Sequence, residues 1–232
     1  MAADTKERIV SGAVELFNAS SVGAVTTNHI AAHLGISPGN LYYHFANKEE
    51  IVRAAFERMN ADADVLWESS SKASQGGFDP LALQRIVVGN LQLYARYIFF
   101  ARELSSLLRA DRELRDRYAA ISARRMEQLV ASLRPLIDAG LLRDVGDDED
   151  LHQLAESAWM IGLFCVPYAE TVDEVPPGAG GRSAKARAAR TRAALERGAL
   201  LVLHLFRPYM DSVAYTALVV LVRTELEKAS LE

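Results

Sequence analysis

The chain has 232 residues and a single cysteine, Cys165. One thiol excludes an internal disulfide framework and suits a reducing cytoplasm. Long apolar runs are also missing. The longest charge-free apolar stretches, Ser157 to Ala169 and Ser212 to Val222, fall short of the roughly 20 residues a membrane-spanning helix needs. The opening Met-Ala-Ala-Asp-Thr-Lys-Glu-Arg has no apolar core, which argues against a secretory signal. A cytoplasmic protein with no membrane partner is therefore expected. Excess positive charge is absent too. Lys and Arg number 26 against 30 Asp and Glu, for a net charge of −4. The first fifty residues hold Lys6, Arg8 and Lys48 against Asp4, Glu7, Glu15, Glu49 and Glu50, a balance of −2. Sequence-independent attraction to a polyanion should be modest. No strand-period segment and no internal repeat is visible. No Ser-His-Asp or Cys-His set and no phosphate loop stands out, so neither an enzyme nor a cofactor is expected. Gly178-Ala-Gly180-Gly181 is no nucleotide fingerprint, because no strand precedes it.

What is present reads as helix from end to end, which predicts an all-α fold. Asp4 or Thr5 can cap a first helix, in which Ile9, Val10, Ala13, Leu16 and Phe17 recur at helical spacing. Gly23 ends it. Two short helices follow, parted by Leu34-Gly35-Ile36. A long helix starts after Asn47 and runs past Met59 towards Trp67. Ser69 to Gly77, rich in Ser and Gly, reads as a linker. Asp79-Pro80 is a strong helix start, and the helix that follows leaves room for an interruption near Phe99 to Leu107. Asp111 opens another helix, ended by Gly140. Asp147, Asp148, Glu149 and Asp150 suit the positive end of the next. They lack the alternating oxygen ligands of a calcium loop. Asp173 to Ser183, with two Pro and three Gly, is a loop. Two more helices are expected over Ala184 to Pro208 and Asp211 to Ser230.

The most informative stretch runs from Thr26 to Phe45. Thr26 can cap a short helix whose apolar face is Ile30, Ala31 and Leu34. Ala31 is small where two helices must cross closely. Gly35 permits the positive backbone angle of a tight turn, and Ile36 plugs the gap beneath it. Ser37 caps the next helix, with Pro38 at its first position. Leu41 and Phe45, four apart, face the core. Gly39, Asn40, Tyr42, Tyr43 and His44 are left towards the outside. Two short helices joined this way form a helix-turn-helix, which sets the start of its second helix in a major groove. His29 and His33, at i and i+4, have metal-ligand spacing. No nearby Cys or carboxylate completes a set, so no metal site is expected.

The run Ile30-Ala-Ala-His-Leu-Gly-Ile-Ser-Pro-Gly-Asn-Leu-Tyr-Tyr-His-Phe-Ala-Asn-Lys-Glu-Glu-Ile51 resembles the signature of the tetracycline-repressor (TetR) family almost position by position. The strong resemblance covers about residues 5 to 60. It implies an N-terminal three-helix DNA-binding domain over residues 1–48. A larger helical domain for effector binding and dimerisation would follow over 49–232, with 49–68 as the connecting helix. It also implies roles by position. Ser37, Gly39, Asn40, Tyr42, Tyr43 and His44 match the recognition helix. Tyr42, His44 and Lys48 match phosphate-holding positions, and Thr26 and Thr27 match backbone contacts from the preceding helix. Gly39 would let the backbone approach the bases, and the Asn40 amide can read base edges. Blander readings stay open: Tyr42 and Tyr43 could be packing residues, and Ser37 and Thr26 could be caps alone.

Beyond residue 60 the resemblance implies a small-molecule effector pocket and a homodimer interface. Trp67, Leu91, Tyr94, Ile98, Trp159, Met160, Phe164 and Tyr168, with Tyr97 and Phe100, supply apolar and aromatic walls with a few donors. The same residues would also build an ordinary core. Cys165, between Phe164 and Val166, reads as a buried, inert thiol. The first half of the Ala184–Pro208 helix is basic, a solvated face. Ala199 to Phe206 and Ala217 to Val222 are nearly all apolar. Helices apolar on most sides need wide burial, which points to the last two helices as the dimer interface. The expected function is a repressor released from operator DNA by a small apolar or aromatic ligand. The alternative is a helical ligand-binding or assembly protein whose DNA-binding domain is weak.

Overall fold

A computed structural model describes residues 2–73, 80–172 and 184–228. Among them the chain forms ten α-helices and no strand. These are α1 (Ala2–Ala19), α2 (Thr27–Leu34), α3 (Pro38–His44), α4 (Lys48–Ala73), α5 (Pro80–Arg96), α6 (Ile98–Ala110), α7 (Arg112–Asp138), α8 (Asp148–Val172), α9 (Ala184–Phe206) and α10 (Ser212–Lys228). A short 3₁₀ turn, Arg207–Tyr209, joins the last two.

Side chains beside the backbone set most of these boundaries. Asp111 Oδ1 accepts from the Leu114 amide at 3.1 Å. Asp147 Oδ1 accepts from the amides of Glu149 and Asp150 at 2.9 and 3.1 Å, and Asp211 Oδ1 from Val213 at 2.8 Å. Each carboxylate satisfies amide donors that the first helical turn leaves open. Gly140, at φ 68°, adopts the left-handed geometry that stops α7.

Three boundaries differ from the sequence reading. The first helix ends at Ala19, before Gly23. Ser69 to Ala73, expected in a linker, continue α4. Extending an existing helix adds one hydrogen bond per residue fixed, which outweighs the modest propensity of Ser. Residues 74–77, and residues 173–183, where a loop is expected, lie outside the described residues. The break after α5 falls at Tyr97 rather than in Phe99 to Leu107.

The chain divides into two compact units, Met1–Ala63 with Arg96–Tyr118, and Asp64–Ala95 with Ala119–Glu232. This grouping differs from a boundary at residue 48. The reason is aromatic packing within the first unit. Phe99 lies 5.3 Å from Phe17, and Phe100 stacks on Phe56 at 5.0 Å between centroids. Ile98, Phe99 and Phe100 are buried there with Ile9, Phe17, Ile30, Leu41 and Ile51. Asn18 completes the join. Its amide donates to the Arg96 carbonyl at 2.8 Å, and its Oδ1 accepts from the Phe99 amide at 3.0 Å. Two of the backbone groups freed by the break at Tyr97 are thereby satisfied. The second unit has its own core, including Leu133, Leu136, Leu142, Leu151, Leu154 and Phe206.

Candidate nucleic-acid interface and cavity

In the first unit, α2 and α3 are fixed by local hydrogen bonds. Thr26 Oγ1 accepts from the His29 amide at 3.2 Å, and His29 Nδ1 accepts from the Thr26 amide at 3.3 Å. This is a capping box with histidine in the place usually held by Glu or Gln. It gives His29 a structural task, while His33 pairs with Glu15 at 2.9 Å. Among the described residues no cluster suits a metal ion. Gly35 ends α2 at φ 65°. Ser37 Oγ accepts from the Asn40 amide at 3.1 Å, with Pro38 in the first turn of α3. Leu41 and Phe45 are buried. Gly39 and Asn40 are exposed, as are Tyr42 at 51% and Tyr43 at 82%. So much exposure leaves Tyr43 little packing within this chain.

The structure brings the proposed phosphate-holding residues together in part. The hydroxyls of Tyr42 on α3 and Thr27 on α2 are 2.9 Å apart, so each orients the other. The His44 ring meets Tyr43 edge-on at 5.1 Å. Lys48 is differently engaged. Its Nζ donates to the carbonyls of Val22 and Val25 at 2.7 and 3.0 Å. An ammonium has three donors, so one remains beyond these two. The first turn of α4 is capped by Asn47, whose Oδ1 accepts from the Glu50 amide at 2.9 Å. Glu50 returns the contact by accepting from the Ala46 amide at 2.8 Å.

Behind this face, α6 grips the end of α1. Glu103 Oε1 accepts from the Val22 amide at 2.8 Å, on the peptide unit next to the carbonyl that Lys48 holds. Tyr97, fully buried, donates its hydroxyl to Asp62 at 2.9 Å and accepts from Arg58 Nε at 3.1 Å. Burial, reinforced by the Asp62 carboxylate, raises the phenol above its ordinary range. It therefore stays protonated through any neutral range.

The second unit contains a part-open cavity of about 120 Å³. Four of the expected ligand residues line it: Trp67 from α4, Leu91 and Tyr94 from α5, and Trp159 from α8. Ile98 is elsewhere, in the core of the first unit. Met160, Phe164 and Tyr168 lie on the outside of α8, each about half exposed. The remaining lining goes beyond the sequence reading. Ile86, Val87 and Asn90 recur on one face of α5, and Ala158, Gly162 and Cys165 on one face of α8. Gly198, Ala199 and Val202 do so on α9, with Leu129 from α7. A signal was available: small residues at helical spacing open space between helices. Cys165 is half-buried, and its Sγ donates to the Gly162 carbonyl at 3.3 Å. Burial raises its thiol above the ordinary value, which disfavours the reactive thiolate. Arg125 is buried in the same unit, 2.8 Å from Asp64. Desolvation lowers its pKa and Asp64 opposes the shift.

Helices throughout the described residues, an exposed, capped second helix of a helix-turn-helix and a helical unit enclosing an apolar cavity define the class of all-helical helix-turn-helix proteins. A family model described as bacterial transcriptional repressor matches residues 81–218, more than half of the chain. One described as bacterial regulatory proteins, tetR family, matches residues 9–55. The chain belongs to the TetR family. It is 31% identical over 101 residues to the probable HTH-type transcriptional regulator ArpR of Pseudomonas putida, covering 44% of this chain and 46% of ArpR. The figures for the HTH-type transcriptional regulator TtgR, also of Pseudomonas putida, are the same. The chain thus spans about half the length of the curated relatives it matches. A TetR-family regulator from Marinobacter aquaeolei VT8 superposes with a TM-score of 0.78 at 25% identity, over 95% of this chain and 98% of that one. A gamma-butyrolactone receptor (ArpA-like protein) has the same fold, with a TM-score of 0.61 at 16% identity over 98% and 100%. Among the described residues no helix is long and apolar enough to cross a membrane.

Proposed function

We propose that this protein is a homodimeric, DNA-binding repressor released from its operator by a small apolar or aromatic ligand. The observation that carries the reading is the division of α3. Leu41 and Phe45 anchor it in the core, and Asn40, Tyr42 and Tyr43 stand exposed on its other side. A rigidly seated helix with an amide and two phenols on its free face suits base and phosphate contact in a major groove. Ser37, Gly39 and His44 belong to the same face. Thr26, Thr27 and Lys48 flank it as supports and phosphate partners. Because this region is acidic overall, neutral donors carry much of the phosphate contact.

Dimerisation is supported by apolar surface that the chain leaves open. Met160, Phe164, Tyr168 and Val172 form an i, i+4 stripe on α8, and Val213 and Val220 are exposed on α10. The interface expected at the last two helices thus extends to α8. Release is supported by the cavity and by α4, one uninterrupted helix from Lys48 to Ala73 that carries Trp67. Trp67, which lines the cavity, thus shares one helix with Lys48.

The test is fluorescence anisotropy of the protein with DNA from upstream of its own coding region. Saturable, sequence-dependent binding is expected. The acidic balance favours a second reading, an assembly protein with a weak DNA-binding domain. Binding no tighter to upstream DNA than to scrambled DNA at moderate salt would establish that reading instead.

A further inference from the structure

Among the described residues, the cavity is lined entirely by side chains that carry no charge at neutral pH. An ionised ligand entering it would lose its hydration and gain no counter-charge, a cost that apolar contact does not recover. Arg125 of α7, in the same unit, is already paired with Asp64 at 2.8 Å and bonded to Gln128 at 2.8 Å.

The polar atoms of the lining are not equivalent. The Cys165 thiol is committed to the Gly162 carbonyl. Asn90 donates Nδ2 to the Ile86 carbonyl, four residues earlier on its own helix, at 2.7 Å. A carbonyl can only accept, so the amide edge against Ile86 is the NH2 edge and the orientation of the carboxamide is fixed. What remains on this side chain is Oδ1, an acceptor with no other partner among the described residues. The same cavity is lined by the aromatic residues Trp67, Tyr94 and Trp159. The volume, about 120 Å³, is on the scale of an engineered apolar cavity of roughly 150 Å³ that holds benzene.

We infer that the cavity selects an uncharged, single-ring aromatic bearing a hydroxyl or N–H group, and that Asn90 is the residue that recognises this donor through Oδ1. The inference rests on reading the cavity as the effector site and adds the chemistry of the effector. An apolar ring fills the cavity, and its donor replaces the water that otherwise solvates the amide oxygen. A ligand that fills the space without a donor leaves that oxygen desolvated, which lowers its affinity.

Calorimetric titration of the intact protein with phenol, anisole and benzoate at pH 7 tests this. Anisole is the more hydrophobic molecule but lacks the donor, and benzoate is charged. Phenol should bind roughly threefold to tenfold more tightly than anisole, the factor a net hydrogen bond supplies, and benzoate should not bind measurably. Asn90→Leu should abolish the preference for phenol while keeping anisole binding. The comparison among ligands in the unaltered protein stands even if that variant fails to fold. Anisole binding as tightly as phenol, measurable benzoate binding, or no binding by either neutral ring would overturn the inference. Operator anisotropy with phenol reads the function separately. Phenol that binds through Asn90 yet leaves the operator complex intact would refute the effector role and leave the recognition chemistry standing.

Discussion

At the scale of single residues, the helix caps show why helix ends were legible in the sequence. Thr26, Ser37, Asp111 and Asp147 act on amides two or three positions away, so spacing alone identifies them. His29 has metal-ligand spacing, yet its ring closes a capping box. His29→Gln should therefore preserve stability, because Gln serves at that position. Thr26→Ala should cost about 1 kcal/mol, and urea unfolding of the two variants measures both. The role of Lys48 was legible only in part, since its bonds to Val22 and Val25 join segments more than twenty residues apart. Lys48→Ala should weaken binding to all DNA sequences alike and lower the salt slope by about one phosphate's worth. It should also lower the melting temperature by removing two hydrogen bonds. Asn40→Ala should leave stability intact, cost ~1–3 kcal/mol of operator affinity and blur sequence preference. Anisotropy over a salt series with operator and scrambled DNA separates them. A Lys48 variant with altered specificity and an unchanged salt slope would reverse the assignment.

At the scale of helices, register along the chain says which residues share a face but not which neighbour a face meets. The α5–α6 break shows this. Nothing at Tyr97 itself signals a helix end, and the stabilising side chain, Asn18, comes from 78 residues earlier. The α8 helix shows it again. It is apolar on most sides, so Trp159 at the cavity and Met160, Phe164 and Tyr168 outside it look alike in sequence. Ile98 failed to join the cavity for the same reason, because its helix packs in the other unit. Close approach of α8 and α9 was likewise invisible until Gly198 met Cys165. A Cβ added at Gly198 would lie 2.6 Å from Cys165 Sγ and 2.7 Å from its Cβ. Gly→Ala inside an open helix normally stabilises by about 1 kcal/mol. Here overpacking should reverse the sign, and Gly198→Ala should destabilise by roughly 1–3 kcal/mol. In a double-mutant cycle, Cys165→Ala should recover part of that loss and not all, because the Cβ contact survives. Full additivity of the two substitutions in chemical unfolding would show that the helices simply move apart.

At the scale of the whole molecule, the proposed function needs two copies and a coupling between ligand and DNA. Two recognition helices must stand about one helical turn apart, ~34–36 Å, to meet successive major grooves. A stable obligate interface buries on the order of 2,000 Å² or more, which calls for apolar surface beyond an ordinary exposed patch. Placing charge on it should therefore dissociate the pair. Tyr168→Glu with Val220→Glu should give a folded monomer by light scattering, with operator affinity lost because each half-site is then bound alone. A double variant that remains dimeric would move the interface elsewhere. Coupling is stricter, because a ligand shifts the DNA equilibrium only by its differential affinity for the free and bound conformations. If the cavity ligand weakens operator binding by the 1–3 kcal/mol typical of such coupling, the operator must weaken ligand binding by the same factor. Tyr94→Ala and Trp159→Ala remove cavity walls and should impair release while sparing operator affinity in the ligand-free dimer. The decisive measurement is ligand affinity for the free dimer and for the dimer saturated with operator. Equal values would rule out release by this ligand however tightly it bound, since an effector with no preference between the two states moves neither.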